Sequence, residues 1–458
     1  MKLQAIYNKS PIFLQNLMCT LYGYKENRKR FNKFFHKYLS TLKETEYFTE
    51  ENIEVHKKRK LIETLLVSKK HPLYIDILDN YDEEKIKLNP YIVLEEMPIL
   101  SKSDLINFDM NQVITRNSHV YHTSGTTGKA LAICKDDKSI AMQWAIWLRH
   151  RERFGVKLKD LSVNFVGKPV VPTTQDKPPF WRFNAAQNQY LISSRHITND
   201  NIENIVDFLN SIEPVFYSGY PSIIYEISRL ALERNLTLNT KSSPRVIFCG
   251  AENLLEYQQS SINSWTKSIL TDQYGLSEGN CNFSKCEFGN YHEDFEFCHI
   301  ELVNEELLPD GSKRGNLVGT AFYNKALPLL RYDTGDIAIT PPESVRCGCG
   351  RFSKLITSVE GRKDDYVITP DGRYVMRFDY LFKNTFEAIE VQTIQEKLDE
   401  VVFKVVLTKG VSKDIFEEKV IKSFYEYISN DMKITFDYVD DIERSSTGKF
   451  KAVLNKVI

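Results

Sequence analysis

The chain has no apolar run of the roughly 18 residues that a membrane-spanning helix requires, which excludes a hydrophobic helical bundle. It also lacks an export signal. Residues 11–23 are apolar, but polar residues interrupt them and no small-residue cleavage site follows. A cytoplasmic location is therefore expected. Net charge is almost absent: 60 Lys and Arg face 61 Asp and Glu, a formal balance of −1. No global field favours nucleic acid or an anionic membrane. The local exception, the basic residues 25–37, reads as a solvated helix face. Internal repeats and low-complexity tracts are missing too. Tryptophan is scarce, with 4 residues, and the aromatic content comes from 24 Tyr and 27 Phe. In a cytoplasmic setting the 8 cysteines are expected to be thiols or metal ligands rather than disulfides.

What is present is enough for more than one core, because 458 residues exceed what a single compact domain usually holds. Residues 1 to about 80 have helical periodicity, with Ile6, Phe13, Leu14, Leu17 and Leu21 recurring near one turn apart, as do Leu61, Ile62, Leu65 and Leu66. The segment 11–23 could rest on a membrane surface or pack on the protein. Packing is the expectation, since Lys and Arg do not line one face of it. From about residue 91, strand-like segments (160–166, 214–218, 245–249) alternate with helical ones (201–209, 223–232). That alternation predicts an α/β domain with parallel strands, whose ligand loops sit at the strands' carboxyl ends. Beyond residue 364 the pattern is α+β: strands at 401–407 and 434–438 around a helix at 415–428. Expected domains are a helical extension over 1–90, a large domain over 91–363 and a small terminal domain over 364–458.

Residues 121–130, YHTSGTTGKA, have a phosphate-handling composition. Gly125 and Gly128 allow close backbone approach to an anion. Ser124, Thr126 and Thr127 add hydroxyl donors, and Lys129 adds positive charge. This is not the common P-loop, which has four residues between its glycines and Ser or Thr after the lysine. Here two residues separate the glycines and Ala130 follows Lys129.

Four later segments share this chemistry: DQYGLSEGN (272–280), RYDTGDIA (331–338), VEGRKDD (359–365) and ERSSTGKFK (443–451). Each alone is weak, but the five in this order form a joint signal. Together they resemble the adenylate-forming superfamily of acyl–CoA synthetases, adenylation domains and luciferases. Within it the chain is similar to the phenylacetate–CoA ligase branch and its CapK-like capsular polysaccharide proteins. That narrower likeness rests on MPILSKSDL (97–105), YSGYPSIIYEISRLA (217–231), CGCGR (347–351) and a helical N-terminus with LQNLMCTLYG (14–23).

The resemblance implies a large domain with parallel sheets flanked by helices and a small mobile α+β domain. It implies ATP- and Mg²⁺-dependent joining of a carboxylate to AMP, then transfer of the acyl group. Coenzyme A is the default acceptor; an amine, a sugar or a separate carrier protein is the alternative. Ser124, Thr126, Thr127 and Lys129 would hold the leaving phosphates. Gly250, Ala251 and Glu252 would line the adenine site, and Tyr274 would lie against the base. Ser277 would reach the α-phosphate, Glu278 would hold Mg²⁺, and Asp336 would accept from the ribose hydroxyls. Arg362 would sit near ribose or phosphate. Lys449 would reach the carboxylate from the mobile domain, with Asp364 or Lys363 as hinge. Trp144, Trp147 and Tyr217 are candidate walls of the acid pocket.

Cys347 and Cys349 flank a glycine, and Cys286 precedes His292 by six positions. Thiolates on a tight turn with an imidazole suit tetrahedral Zn²⁺. Members of the resembling branch carry a Cys₃His structural zinc, and the matching positions are Cys286, His292, Cys347 and Cys349. Cys281, Cys298 and His299 are rival ligands.

Overall fold

The computed structural model describes residues 2–116, 118–122, 131–166, 170–252, 254, 256–360, 366–375, 381, 387–408, 410–443 and 453–457. Ser124, Thr126, Thr127, Lys129, Arg362, Lys363, Asp364 and Lys449 lie outside those residues.

The N-terminal part is helical: α1 (Lys2–Lys9), α2 (Ile12–Arg30), α3 (Phe35–Thr45), α4 (Glu50–Ser68) and the short α5 (Ile75–Leu78), α6 (Glu83–Leu88), α7 (Pro90–Glu96) and α8 (Lys102–Asn107). A hairpin of β1 (Ser118–His122) and β2 (Ala132–Asp136) follows, then α9 (Asp137–Arg153). The Asp136 carboxylate starts that helix by accepting from Ser139 N at 2.8 Å, satisfying one of the open N–H groups of the first turn.

The strands after α9 build the main sheet: β3 (Ser162–Val166), β4 (Trp181–Asn184), β5 (Gln189–Ser193), β6 (Phe216–Gly219), β7 (Val246–Gly250), β8 (Ile269–Gly275), β9 (Asn282–Lys285) and β10 (Tyr291–Glu293). Helices α10 (Ile202–Asn210), α11 (Pro221–Glu233) and α12 (Glu256–Thr266) connect them. With β14 (Leu355–Ile356) at one margin, the strand order is β14-β10-β9-β8-β7-β6-β3-β5-β4. Strands β5, β3, β6, β7 and β8 run parallel, while β4, β9 and β10 pair antiparallel at the two margins. The parallel centre agrees with the α/β alternation in the sequence. Its continuous apolar strands are covered on both faces, as buried parallel strands require. Ile205, Leu209, Ile227 and Ile262 of the crossover helices pack on one side. Phe35, Ala141, Ala145 and Ile146 of α3 and α9 pack on the other, against Phe283 of β9.

A second, antiparallel sheet contains β11 (Cys298–Leu307), β12 (Lys313–Ala321), β13 (Tyr332–Thr340) and, after β14 (Leu355–Ile356), β15 (Ser358–Glu360). The C-terminal residues form β16 (Val367–Ile368) and β17 (Tyr374–Val375). They then form a four-stranded sheet of β18 (Ala388–Lys397), β19 (Glu400–Leu407), β20 (Lys433–Tyr438) and β21 (Val453–Asn455), packed on α13 (Lys413–Tyr427). Their core, with Phe403, Phe416, Val420 and Phe424 fully buried, is a cluster of its own.

Helix α9 is clamped from below. Arg149 is 3% exposed and pairs with Asp294 at 2.7 Å and Glu296 at 2.6 Å. Thr45 Oγ1 of α3 donates to the same Glu296. A buried guanidinium with two hydrogen-bonded carboxylates holds the helix in one register, because losing either partner would leave a buried charge unpaired.

Helix α2 packs on the protein, as expected, but not by its apolar side. It lies along the edge strand β4 and turns its polar side inward. Asn16 Oδ1 accepts from Phe183 N at 2.9 Å, and Thr20 Oγ1 accepts from Ala185 N at 3.1 Å. Gln15 Oε1 accepts from Arg182, and Asn27 Nδ2 donates to Ala186 O at 3.0 Å. Gly23 is needed at the crossing: a Cβ there would lie 2.3 Å from Asn184 Oδ1. An open sheet edge presents unpaired backbone groups, and α2 supplies side-chain partners for them. Its apolar residues consequently face away from the protein: Phe13 is 69% exposed, Leu17 50% and Leu21 59%.

Candidate active site

Strands β6, β7 and β8 end side by side at Gly219, Gly250 and Gly275. The loops after them form one side of a cavity of about 450 Å³, and α9 forms the other. Gly250, Ala251, Leu276 and Ser277 line it from the strand ends, and Trp144, Trp147 and Arg151 from the helix. Gly219 brings bare backbone into the wall; a Cβ there would sit 2.1 Å from Phe165 O. Ala251 holds φ at 67°, a left-handed conformation that a residue with a Cβ seldom adopts, so the turn after β7 stores strain beside the cavity.

Tyr274 and Asp336 come from different sheets, yet Tyr274 Oη donates to Asp336 Oδ2 at 2.7 Å. One face of the Tyr274 ring stacks on Phe283, with centroids 5.0 Å apart. Burial, then the negative charge of Asp336, pushes its phenol far above the usual range. Thr334 Oγ1 donates to Leu317 O and accepts from Asp336 N, which fixes the turn that presents the carboxylate. Glu278 stands on the loop after β8, with Oε1 3.4 Å from the Tyr332 hydroxyl. Glu278 directly follows Ser277 of the cavity wall, and a partly buried carboxylate there is of the type that suits Mg²⁺, which takes one or two protein carboxylates and completes its shell with phosphates and water.

Glu252, expected with Gly250 and Ala251 at the adenine site, is tied to helix α11. Its Oε2 accepts from Ser222 Oγ at 2.7 Å and Ser222 N at 3.3 Å, so the carboxylate caps the start of α11. Tyr217 is fully buried in the core, with its hydroxyl donating to Ser242 O, and is not a cavity wall. Trp144 and Trp147 are in the wall.

Three cations in the cavity wall escaped the motif reading. Lys135 of β2 donates to Gln143 Oε1 at 3.1 Å. Burial pushes its ammonium down to about 8, against the opposing pull of Glu278. Arg30, at the end of α2, lies over the Trp144 ring at 4.1 Å. Arg151 of α9 lies over Phe216 at 5.1 Å and Phe248 at 5.8 Å, and among the described residues no carboxylate pairs with it. Burial and the Arg30 charge lower it to about 10, so it stays protonated at neutral pH. Their signal was weak because the three belong to three elements and none sits in a glycine-rich motif.

At the β10–β14 margin of the main sheet, Cys286, His292, Cys347 and Cys349 present ligand atoms all within 4.8 Å of one another. Cys286 Sγ is 3.5 Å from Cys347 Sγ, and Cys349 Sγ is 3.3 Å from His292 Nε2. Four Zn–S/N bonds of about 2.0–2.3 Å at tetrahedral angles put donors roughly 3.5 Å apart, so the cluster fits zinc. Asn290 Nδ2 donates to Cys347 Sγ and Arg351 Nε to Cys349 Sγ, the outer contacts that orient thiolates. Cys281 and Cys298 are buried in the core between the two sheets, apart from this cluster.

Comparison with known proteins agrees with this architecture. Solved 2-hydroxyisobutyryl-CoA ligase, bound to 2-HIB-AMP and CoA in the thioesterification state, superposes with a TM-score of 0.56. It shares 17% identity over 90% of this chain and 91% of that one. The same enzyme in its postadenylation state gives 0.51 at 15% identity, covering 87% and 88%. The fold is therefore that of the adenylate-forming ligases, an α/β body with a small C-terminal α+β unit. Residues 367–456 match the CapK C-terminal domain. Protein CapK of Staphylococcus aureus is 25% identical over 99% of this chain and all of its own length. Phenylacetate-coenzyme A ligase of Thermus thermophilus is 34% identical, but over only 25% of this chain and 29% of its own. The chain is thus similar to Protein CapK along its whole length and to phenylacetate-coenzyme A ligase over a shorter stretch, on a fold shared with acyl-CoA ligases.

Proposed function

We propose that this protein activates a carboxylic acid with ATP, releasing pyrophosphate, and passes the acyl group from AMP to a thiol, coenzyme A being the default. The observation that carries the reading is the Tyr274–Asp336 pair, with Glu278 on the loop whose Leu276 and Ser277 line the cavity at the strand ends. Little covalent chemistry falls to the protein in such a reaction; it positions two anions and offsets their repulsion. Asp336, held by Tyr274, would accept from the ribose. Gly250 and Ala251 would border the base, and Ser277 would donate to the α-phosphate. Glu278 would hold Mg²⁺, which supplies charge neutralisation at the phosphates. The loop with Ser124, Thr126, Thr127 and Lys129 would receive the pyrophosphate, with Arg362 near the ribose. Lys449 would approach from a C-terminal unit beginning near Asp364, after a large domain over 91–363 and a helical extension over 1–90. A capsular or other surface-polysaccharide setting accords with the CapK relatives.

Carboxylate-dependent exchange of labelled pyrophosphate into ATP tests the reading, over a panel of acids and with CoA or hydroxylamine as acceptor. Absence of exchange, with ATP still bound, would favour a nucleotide-binding scaffold instead.

The cavity suggests the class of acid. Arg151 has aromatic rings on its flank and no carboxylate partner among the described residues, so an acid with a second anionic group would complete it. Arg151→Met should lower exchange with a diacid such as glutarate about tenfold or more while sparing butyrate. Equal losses with both would remove that role.

Lys135 gives a pH dependence. Its charge is present below about 8 and lost above it. If that charge receives phosphate, kcat/KM for ATP should fall as pH rises through this value. Lys135→Arg should move the falling limb upward; a limb unchanged in that variant would assign it to another group.

A further inference from the structure

Most surface helices put their apolar stripe inward. Helix α2 is reversed. Gln15, Asn16, Thr20, Gly23 and Asn27 face the edge of β4, and Phe13, Leu17, Leu21 and Tyr24 face outward. The neighbouring α1 extends the outward face with Ile6, 58% exposed, while its Tyr7 is anchored inward through Val170 O. Exposed apolar side chains scattered singly need no account, but a contiguous ridge over two helices does.

The charge around the ridge says what covers it. Residues 1–43 hold nine Lys and Arg against a single acid, Glu26, although the whole chain is nearly neutral. Lys25 and Arg28 follow Leu21 and Tyr24 by one helical turn and are exposed, as are Lys9, Lys33 and Lys37. Glu26 is turned toward the cavity and paired with Lys29 at 3.1 Å. A second copy of the chain would bring the same positive block against this one, which disfavours a symmetric dimer through this face. An apolar ridge with basic residues at its ends matches an anionic bilayer surface: rings and leucines enter the acyl boundary, and long basic side chains reach back to the headgroups.

We infer that α1 and α2 form an interfacial anchor that seats this protein on anionic lipid, with α2 lying in the plane of the surface. The anchor is rigid, because α2 is bonded along its length to β4. The same helix carries Glu26 and Arg30 into the cavity wall, so anchor and proposed active site share one element.

Flotation of the full-length protein tests this with vesicles of phosphatidylcholine alone and of equal phosphatidylcholine and phosphatidylglycerol. The wild-type protein should float with the mixed vesicles and much less with the neutral ones. Leu17→Ser with Leu21→Ser, at half-exposed positions, should reduce flotation about tenfold or more at unchanged thermal stability. Lys25→Gln with Arg28→Gln should reduce binding to mixed vesicles only. If the serine pair does not fold, Phe13→Ser gives the same comparison at the most exposed ring. The inference falls if the wild-type protein stays unbound or if the serine variants float as it does. It falls equally if sedimentation velocity finds a wild-type dimer that the serine pair converts to monomer, because a second copy would then cover the ridge.

Discussion

Glu278→Gln is expected to lower pyrophosphate exchange by about 100-fold or more, the scale of losing one charged contact to a transition state. The substitution keeps the shape and the reach toward the Tyr332 hydroxyl, so the loss would report the charge rather than the packing. A second readout separates this from a structural effect. The Glu278 carboxylate raises the Lys135 ammonium against the depression caused by burial. Removing the carboxylate should therefore move the falling limb of the pH profile to lower pH. A variant that retains exchange within about threefold would deny Glu278 any place in the chemistry.

The Cys286–His292–Cys347–Cys349 cluster, taken as a zinc site, is expected to show the second large effect. Cys347→Ser should strip bound zinc and lower the first thermal transition by about 5–10 °C, since a closed site of this type ties folding to metal binding. The site joins two distant parts of the chain: the turn and strand carrying Cys286 and His292, and the turn carrying Cys347 and Cys349. Losing it frees the loop before β14. Cys281→Ser should keep the metal, because Cys281 lies in the core instead. Less than about half an equivalent of zinc in purified wild-type protein, with normal stability of the Cys347 variant, would reject the site.

The grouping of these four residues was legible because thiols and an imidazole on glycine turns suit one metal ion, and the resemblance named the same positions. The strand ends were legible for a similar reason. Glycines and carboxylates cluster where a parallel sheet stops, and those clusters keep their order along the sequence. Tyr274 stood in such a cluster; Asp336 stood 62 positions on, beside a glycine in the antiparallel sheet, and the fold brings their side chains together. Other features left no local mark. The helical period of α2 was evident, but periodicity does not say which stripe faces inward. That depends on the unpaired edge of β4, far away in sequence. Arg30, Lys135 and Arg151 converge only once α2, β2 and α9 have packed. The motif likewise did not show that the Glu252 carboxylate would accept from Ser222 at the start of α11.

Gly219 divides the cavity into two kinds of wall. On the strand side, main-chain atoms lie against Phe165 too closely for any side chain at 219. On the helix side the wall is made of side chains, Trp144, Trp147 and Arg151, while Arg149 holds α9 in place from its opposite face. Divergence in the acid accepted should therefore accumulate along one face of a single helix.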